Sequence, residues 1–138
     1  PIAADGFVDF ELRGCPVNEY QLLDLVAATL IGRRPNVRSH SVCVECKRRG
    51  HACVVVSQGE PCLGPITQDG CGALCPGVGR ACYGCFGPME QPNINSLGEW
   101  FIAKQRRTPR ELTHMLRMFN GYLEPFKQAS DRYERRSH

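Results

Sequence analysis

Nine cysteines stand in this chain of 138 residues, and eight of them fall into two dense sets. The segment CVECKRRGHACVVVSQGEPC carries Cys43, Cys46, Cys53 and Cys62 in the spacing C-x2-C-x6-C-x8-C. The segment CGALCPGVGRACYGC carries Cys71, Cys75, Cys82 and Cys85 in the spacing C-x3-C-x6-C-x2-C. Thiols at this density serve either as metal ligands or as a disulfide framework. The odd count argues against disulfides, as do the opening residues PIAADGFVDF, which lack the basic start and apolar core of a secretory signal. A chain of this length with amphipathic helices also needs no stapling. Metal ligation is therefore the expectation.

The spacing bears on which metal. Zinc ribbons and fingers present two short cysteine pairs divided by a longer loop. Each set here has a single C-x2-C pair, and Cys75 with Pro76 completes the C-x3-C-P element that closes the bacterial ferredoxin motif. Glycines such as Gly72, Gly77 and Gly84 supply turns whose N–H groups can face a cluster's negative charge. Iron–sulfur clusters are favoured, and two in tandem imply electron transfer. The alternative is a zinc-stabilised module that binds nucleic acid or protein. Spacing does not settle connectivity, because neighbouring cysteines serve different clusters in two-cluster ferredoxins.

His40 stands three residues before Cys43, so H-x2-C offers a nitrogen ligand as an alternative to Cys46. His51 reads as a neighbour of the cluster, His114 as a helix-surface residue and His138 as a terminal one. Lys47, Arg48 and Arg49 read as a solvated turn. No Ser-His-Asp set, catalytic carboxylate pair or phosphate-binding glycine loop is evident, so no catalytic residue is assigned.

These ligands need elements to hold them. FVDFELR, residues 7 to 13, alternates with the period of a strand, and GCP then turns the chain. Asn18 is placed to cap a helix that carries Leu22, Leu23, Val26, Thr29 and Leu30 on one side and ends at Gly32 and Pro35. Residues 1–36 thus read as the last strand and helix of an α/β unit the chain does not complete. Residues 37–92 form a mostly irregular two-cluster region whose apolar residues line the metal sites or make a small local core. Residues 93–138 are C-terminal helices and a tail. Ser96 with Glu99 and Thr108 with Glu111 make two capping-box patterns, Pro109 opens a helix, and Leu112, Met115, Leu116 and Phe119 form its packing stripe. The tail KQASDRYERRSH reads as a solvated charged end.

Formal charge is +3 with neutral cysteines. Two four-iron clusters with their thiolates would bring it to about −1. The basic residues are spread over several elements without interleaved aromatics, so no nucleic-acid partner is expected. The longest apolar run, LLDLVAATLI, is too short to span a membrane and contains Asp24.

GCPVNEYQLLDLVAATLIGRRP, SVCVECKRRGHACV, PCLGPITQDGCGALCP and CYGCFGP together resemble the small, electron-transferring subunit of nickel–iron hydrogenases. The likeness is to the cytoplasmic sulfhydrogenase and NAD(P)- or deazaflavin-coupled group, and it extends from about residue 8 into the C-terminal helices. The resemblance implies a flavodoxin-like N-terminal domain and an irregular cluster-binding C-terminal domain. It implies a medial 4Fe-4S cluster on Cys71, Cys75, Cys82 and Cys85. It implies a distal 4Fe-4S cluster on Cys43, Cys46, Cys53 and Cys62, with His40 as the other candidate ligand. Cys15, in GCP, resembles the last ligand of a third, proximal cluster whose other ligands, including an E-x3-C-x2-C motif, are absent from this chain. The implied partners are a nickel–iron large subunit, a flavin, NAD(P) or other electron-acceptor subunit, and the N-terminal half of a longer small subunit.

Overall fold

A computed structural model describes residues 6–137; residues 1–5 of the expected α/β unit and the terminal His138 lie outside the described residues. Among the described residues seven helices follow one another: α1 (Glu19–Leu30), α2 (Val42–Arg48), α3 (Val54–Gln58), α4 (Leu74–Gly77), α5 (Ile94–Gln105), α6 (Pro109–Arg117) and α7 (Glu124–Arg135). Among the described residues β-structure is limited to two isolated antiparallel bridges, Ser41 with Gln68 and Thr67 with Pro88.

α1 starts and stops as its end residues dictate. Asn18 Oδ1 accepts from the N–H groups of Tyr20 and Gln21 at 2.9 and 3.2 Å. At the other end Gly32, with φ +68°, lets Arg33 N–H reach the Ala28 carbonyl at 2.9 Å and closes a Schellman turn. Leu22, Leu23, Val26 and Leu30 are nevertheless exposed, and only Ala28 of this helix is buried. Residues 7–13, expected as a strand, pair with no neighbour among the described residues, and Phe7 and Phe10 stand exposed. Their alternation specifies two faces, yet a strand also needs a partner to receive its N–H and C=O groups.

α5, α6 and α7 pack into a helical unit around Ile94, Phe101, Leu112, Leu116, Phe126 and Tyr133. The tail read as a solvated end is in fact the greater part of α7. Phe126, Ala129, Ser130 and Tyr133, at offsets 0, 3, 4 and 7, are all buried. A stripe of which half is Ala and Ser carries little hydrophobic signal, so the charged residues between dominate the pattern. Arg117 locks α6 to α7 by pairing with Asp131 at 2.8 Å and Glu134 at 2.7 Å.

The Thr108 cap forms as expected: Thr108 Oγ1 accepts from Glu111 N–H at 3.2 Å, and the Glu111 carboxylate accepts from Thr108 N–H at 2.7 Å. Ser96 and Glu99 do not make a second box. α5 begins earlier, with Asn93 Oδ1 accepting from Ser96 N–H at 3.2 Å, and Glu99 pairs instead with Arg136. Leu112 and Leu116 are core residues, Met115 packs on them, and Phe119 lies beyond the end of α6, half-exposed.

Leu63 and Ile66, from the cysteine-rich segment, enter the core of the helical unit. Asn120 Nδ2 donates to the Gly84 carbonyl at 2.9 Å, so the turn after α6 grips the loop between Cys82 and Cys85. The helices thus act as a base on which the cysteine loops are mounted.

Candidate metal centre

The first cysteine set is built around α2 and α3. Cys43 and Cys46 lie one turn apart on α2, and Cys53 is the N-cap of α3. The start of α2 is anchored by Val42 N–H to the Thr67 carbonyl at 2.9 Å and by Cys43 N–H to the Gly64 carbonyl at 3.2 Å. Val42, Val54, Ala73 and Ala81 form a local apolar core with the buried Cys62 and Cys82, while Cys53 stays exposed. Burial pushes the Cys46 thiol up, and the nearby thiol groups of Cys43, Cys62 and Cys53 push it further in the same direction. Cys62 is also raised by burial, a shift opposed by the N–H groups of Cys82 and Gly64 and reinforced by Cys43 and Cys53. Cys46 and Cys62 therefore both feel the thiols of Cys43 and Cys53.

The second set surrounds a cavity of about 300 Å³ with almost wholly apolar walls. Cys71, Cys75, Cys82 and Cys85 all line it, together with Cys15 and Phe86. Burial drives the Cys82 thiol from 9.0 to about 12. Cys85 is raised by burial and then by Cys71, Cys75 and Cys15, while the Cys15 N–H offsets part of this. Such a site makes thiolates costly unless a cationic group compensates them.

Phe86 is the wedge of this second site. Its ring is 4% exposed, and a Cβ at Gly70 would lie 2.3 Å from it, one at Gly14 2.7 Å. Each of these glycines directly precedes a cysteine, Cys71 or Cys15, and Phe86 directly follows Cys85. One ring therefore sets the approach of three chain segments. Asn18 adds a tie, its Nδ2 donating to the Gly70 carbonyl at 2.8 Å while its Oδ1 caps α1. Between Cys71 and Cys75 the chain passes through two left-handed residues, Gly72 at φ +63° and the fully buried Ala73 at φ +57°. A left-handed alanine is a strained conformation that the surrounding structure must enforce.

A tetrahedral zinc with Zn–S near 2.3 Å draws its sulfurs to about 3.8 Å from one another. Among the described residues, the group of three or more His, Cys, Asp or Glu ligand atoms that lie within 4.8 Å of each other is His40, Glu45 and Asp69, and no cysteine belongs to it. The four thiols of the second set, which line one apolar cavity, suit the thiolate ligation of an iron–sulfur centre.

His40 Nε2 is directed at the carboxylates, 3.6 Å from Asp69 Oδ2. Its group does not make a cation site. Arg38 already meets the fully buried Asp69 at 2.6 Å, and Arg49 meets Glu45 at 2.9 Å, so two guanidinium groups balance the two carboxylates. Sequence reasoning did not single out Asp69 or Glu45, whose positions depend on contacts between distant segments; Phe86 is one of the apolar residues expected to line the metal sites or make a small local core, and it does line the second site. The Gly-Cys steps at 14–15 and 70–71 and the Cys-Phe step at 85–86 were the available signal.

No protein-family model matches the chain. It is 35% identical over 112 residues to the delta subunit of sulfhydrogenase 2 of Pyrococcus furiosus, an alignment that covers 81% of this chain and 46% of that protein. It is 33% identical over 136 residues to a vhu subunit of the F420-non-reducing hydrogenase of Methanocaldococcus jannaschii, covering 86% of this chain and 47% of that one. A third relative, the iron-sulfur subunit of the F420-non-reducing hydrogenase of Archaeoglobus profundus, is 33% identical over 109 residues, 59% of this chain and 34% of that protein. The chain thus spans slightly less than half the length of the first two of these relatives. Among the described residues no helix is long and apolar enough to cross a membrane. With its paired cysteine sets and this similarity over four fifths of its length, the chain belongs with the hydrogenase subunits represented by the sulfhydrogenase 2 delta subunit and the G subunits of F420-non-reducing hydrogenases.

Proposed function

We propose that the chain relays single electrons through two 4Fe-4S clusters, between the nickel–iron site of a partner large subunit and a cytoplasmic module that handles flavin, NAD(P) or another soluble carrier. A four-iron cluster supplies one-electron acceptance and release with little rearrangement. Cys43, Cys46, Cys53 and Cys62 hold the distal cluster in this reading, and Cys71, Cys75, Cys82 and Cys85 the medial one. Cys15 contributes a ligand to a proximal cluster completed by an N-terminal half of the subunit, whose sheet would cover the exposed apolar side of α1.

The observation that carries the reading is the lining of one apolar cavity by Cys71, Cys75, Cys82 and Cys85, to which Cys62 of the first set is tied through the Cys82 N–H. Cys15 reaches the rim of the second site beside Cys85, as the exit of a path leading to a third centre would require. His40 Nε2 lies 3.6 Å from Asp69 Oδ2, and the four cysteines are kept as the ligands of the first site.

The test is iron, zinc and acid-labile sulfide per chain on anaerobically purified protein, with electron paramagnetic resonance after reduction. About eight iron and eight sulfide with signals of reduced four-iron centres are expected for two such clusters. About two zinc without sulfide would overturn the relay and promote a zinc-stabilised binding module.

A further inference from the structure

The arm between Cys46 and Cys53 does not stay with its own cysteine set. Arg49, the C-cap of α2, donates from Nε to Glu45 Oε1 at 2.9 Å, and Glu45 is buried on the same helix. Held there, the guanidinium lies over Gly72, the residue after Cys71: a Cβ at Gly72 would fall 2.8 Å from Arg49 Nη2 and 3.2 Å from its Cζ. Beside it the His51 ring covers Gly77 in the same manner, at 3.1 Å from the position of a Cβ. The start of α2 is tied to Gly64 and Thr67, so the arm has a fixed relation to the 71–77 loop. Lys47 and Arg48, its neighbours in sequence, are exposed.

We propose that Arg49, aimed by Glu45 and admitted by the missing side chain of Gly72, sets the reduction potential of the centre held by Cys71, Cys75, Cys82 and Cys85. The inference rests on the two-cluster reading above. One-electron reduction adds one negative charge to that centre, the electron arriving from the neighbouring cluster or from the hydrogenase partner. A fixed positive charge beside the Cys71 loop stabilises the reduced state and raises the potential. Glu45 alone would work in the opposite sense; its role is to hold the guanidinium, whose far end is the part that reaches Gly72. Half of the Arg49 side chain remains exposed, so its effect is partly screened by salt.

The test compares wild type, Arg49→Gln, Arg49→Met, Arg49→Lys and Arg48→Gln in the assembled, cluster-loaded protein. Iron and sulfide are counted first, and the midpoint potentials of both centres are then read by mediated titration followed by electron paramagnetic resonance. The expected result is an unchanged cluster count with one midpoint lowered in Arg49→Gln and Arg49→Met and the other moved less. Arg49→Lys should restore most of the shift, Arg48→Gln should show none, and the wild-type excess over Arg49→Gln should shrink as ionic strength rises. Unmoved midpoints in loaded Arg49→Gln, or an equal shift in Arg48→Gln, overturn the proposal. Loss of a cluster in both neutral variants also overturns it, in favour of a structural role. If wild type lacks two four-iron clusters, the relay itself fails, and that outcome is visible before any variant is made.

Discussion

The backbone N–H of Cys82 donates to Sγ of Cys62 at 3.2 Å, and so joins the two cysteine sets through a single hydrogen bond. Gly64 N–H donates to the same sulfur at 3.4 Å. A thiolate accepting two N–H groups is stabilised in its charged form, which is the form a ligand takes. The bond also links a ligand of one proposed cluster directly to a ligand of the other.

Because Cys62 is assigned to the first site alone, Cys62→Ala is expected to remove one cluster and leave the second. Iron and sulfide per chain should fall by about half, with one of two reduced-state signals retained. Loss of both clusters would show that the sets are not independent, and full retention would show that Cys62 is no ligand.

The local parts of this arrangement were legible in the sequence, and the convergent parts were not. Asn18 and Thr108 cap as read because each answers to backbone groups two or three residues away. α2, α3 and α4 run for 7, 5 and 4 residues, too short to establish a helical period. α7 escaped notice because Ala129 and Ser130 occupy half of its buried stripe. The grouping of the cysteines followed from spacing and resemblance, but the wedge at Phe86 depends on Gly14 and Gly70 meeting across more than fifty residues.

That wedge has a direct consequence. In Gly70→Ala the new methyl would meet Phe86 at 2.3 Å and Gln21 Oε1 at 2.9 Å, and a buried ring has little room to yield. Overpacking of this kind costs about 1–3 kcal/mol. The displaced segment carries Cys71, so the variant should lose iron from one centre more readily than from the other, read as the rate of iron release to a chelator. Phe86→Ala should cost about 3–5 kcal/mol and loosen the same centre. Equal release from both centres would refute a wedge specific to the second site.

Removing the clusters should expose an alkaline weakness. In the cluster-free chain burial raises the Cys82 thiol from 9.0 to about 12, so its neutral form is favoured on folding. The resulting stability is present below pH 9.0 and is lost as pH rises toward about 12, up to about 4 kcal/mol in all. Loading reverses the logic, because ligation takes the thiolate and releases its proton, so cluster retention should improve from acid toward neutral pH. Urea midpoints of cluster-free wild type should fall between about pH 8 and about pH 11, and Cys82→Ala should flatten that decline. A decline undiminished in Cys82→Ala would place its origin in other groups.

The base beneath the cysteine loops can be tested at Gly98 of α5 and Tyr133 of α7. A Cβ at Gly98 would stand 2.1 Å from Tyr133 Oη and 2.7 Å from its Cζ, so the glycine is what lets the buried ring lie against α5. Gly98→Ala should gain about 0.5–1 kcal/mol from helix propensity and lose more to overpacking, for a net cost of about 1–2 kcal/mol. The hydroxyl makes a long contact to the Asn95 carbonyl, at 3.5 Å, and a second to the exposed Glu99 carboxylate, so Tyr133→Phe should lie within about 1 kcal/mol of wild type. Combining the two removes the closest clash while leaving the one at Cζ, and the double variant should therefore be more stable than the sum of the single effects predicts. Thermal or urea unfolding of the four forms closes the cycle. Strict additivity would mean that α5 and α7 do not meet at this pair, and the packing that carries the Gly84 loop through Phe126 and Asn120 would have to be redrawn.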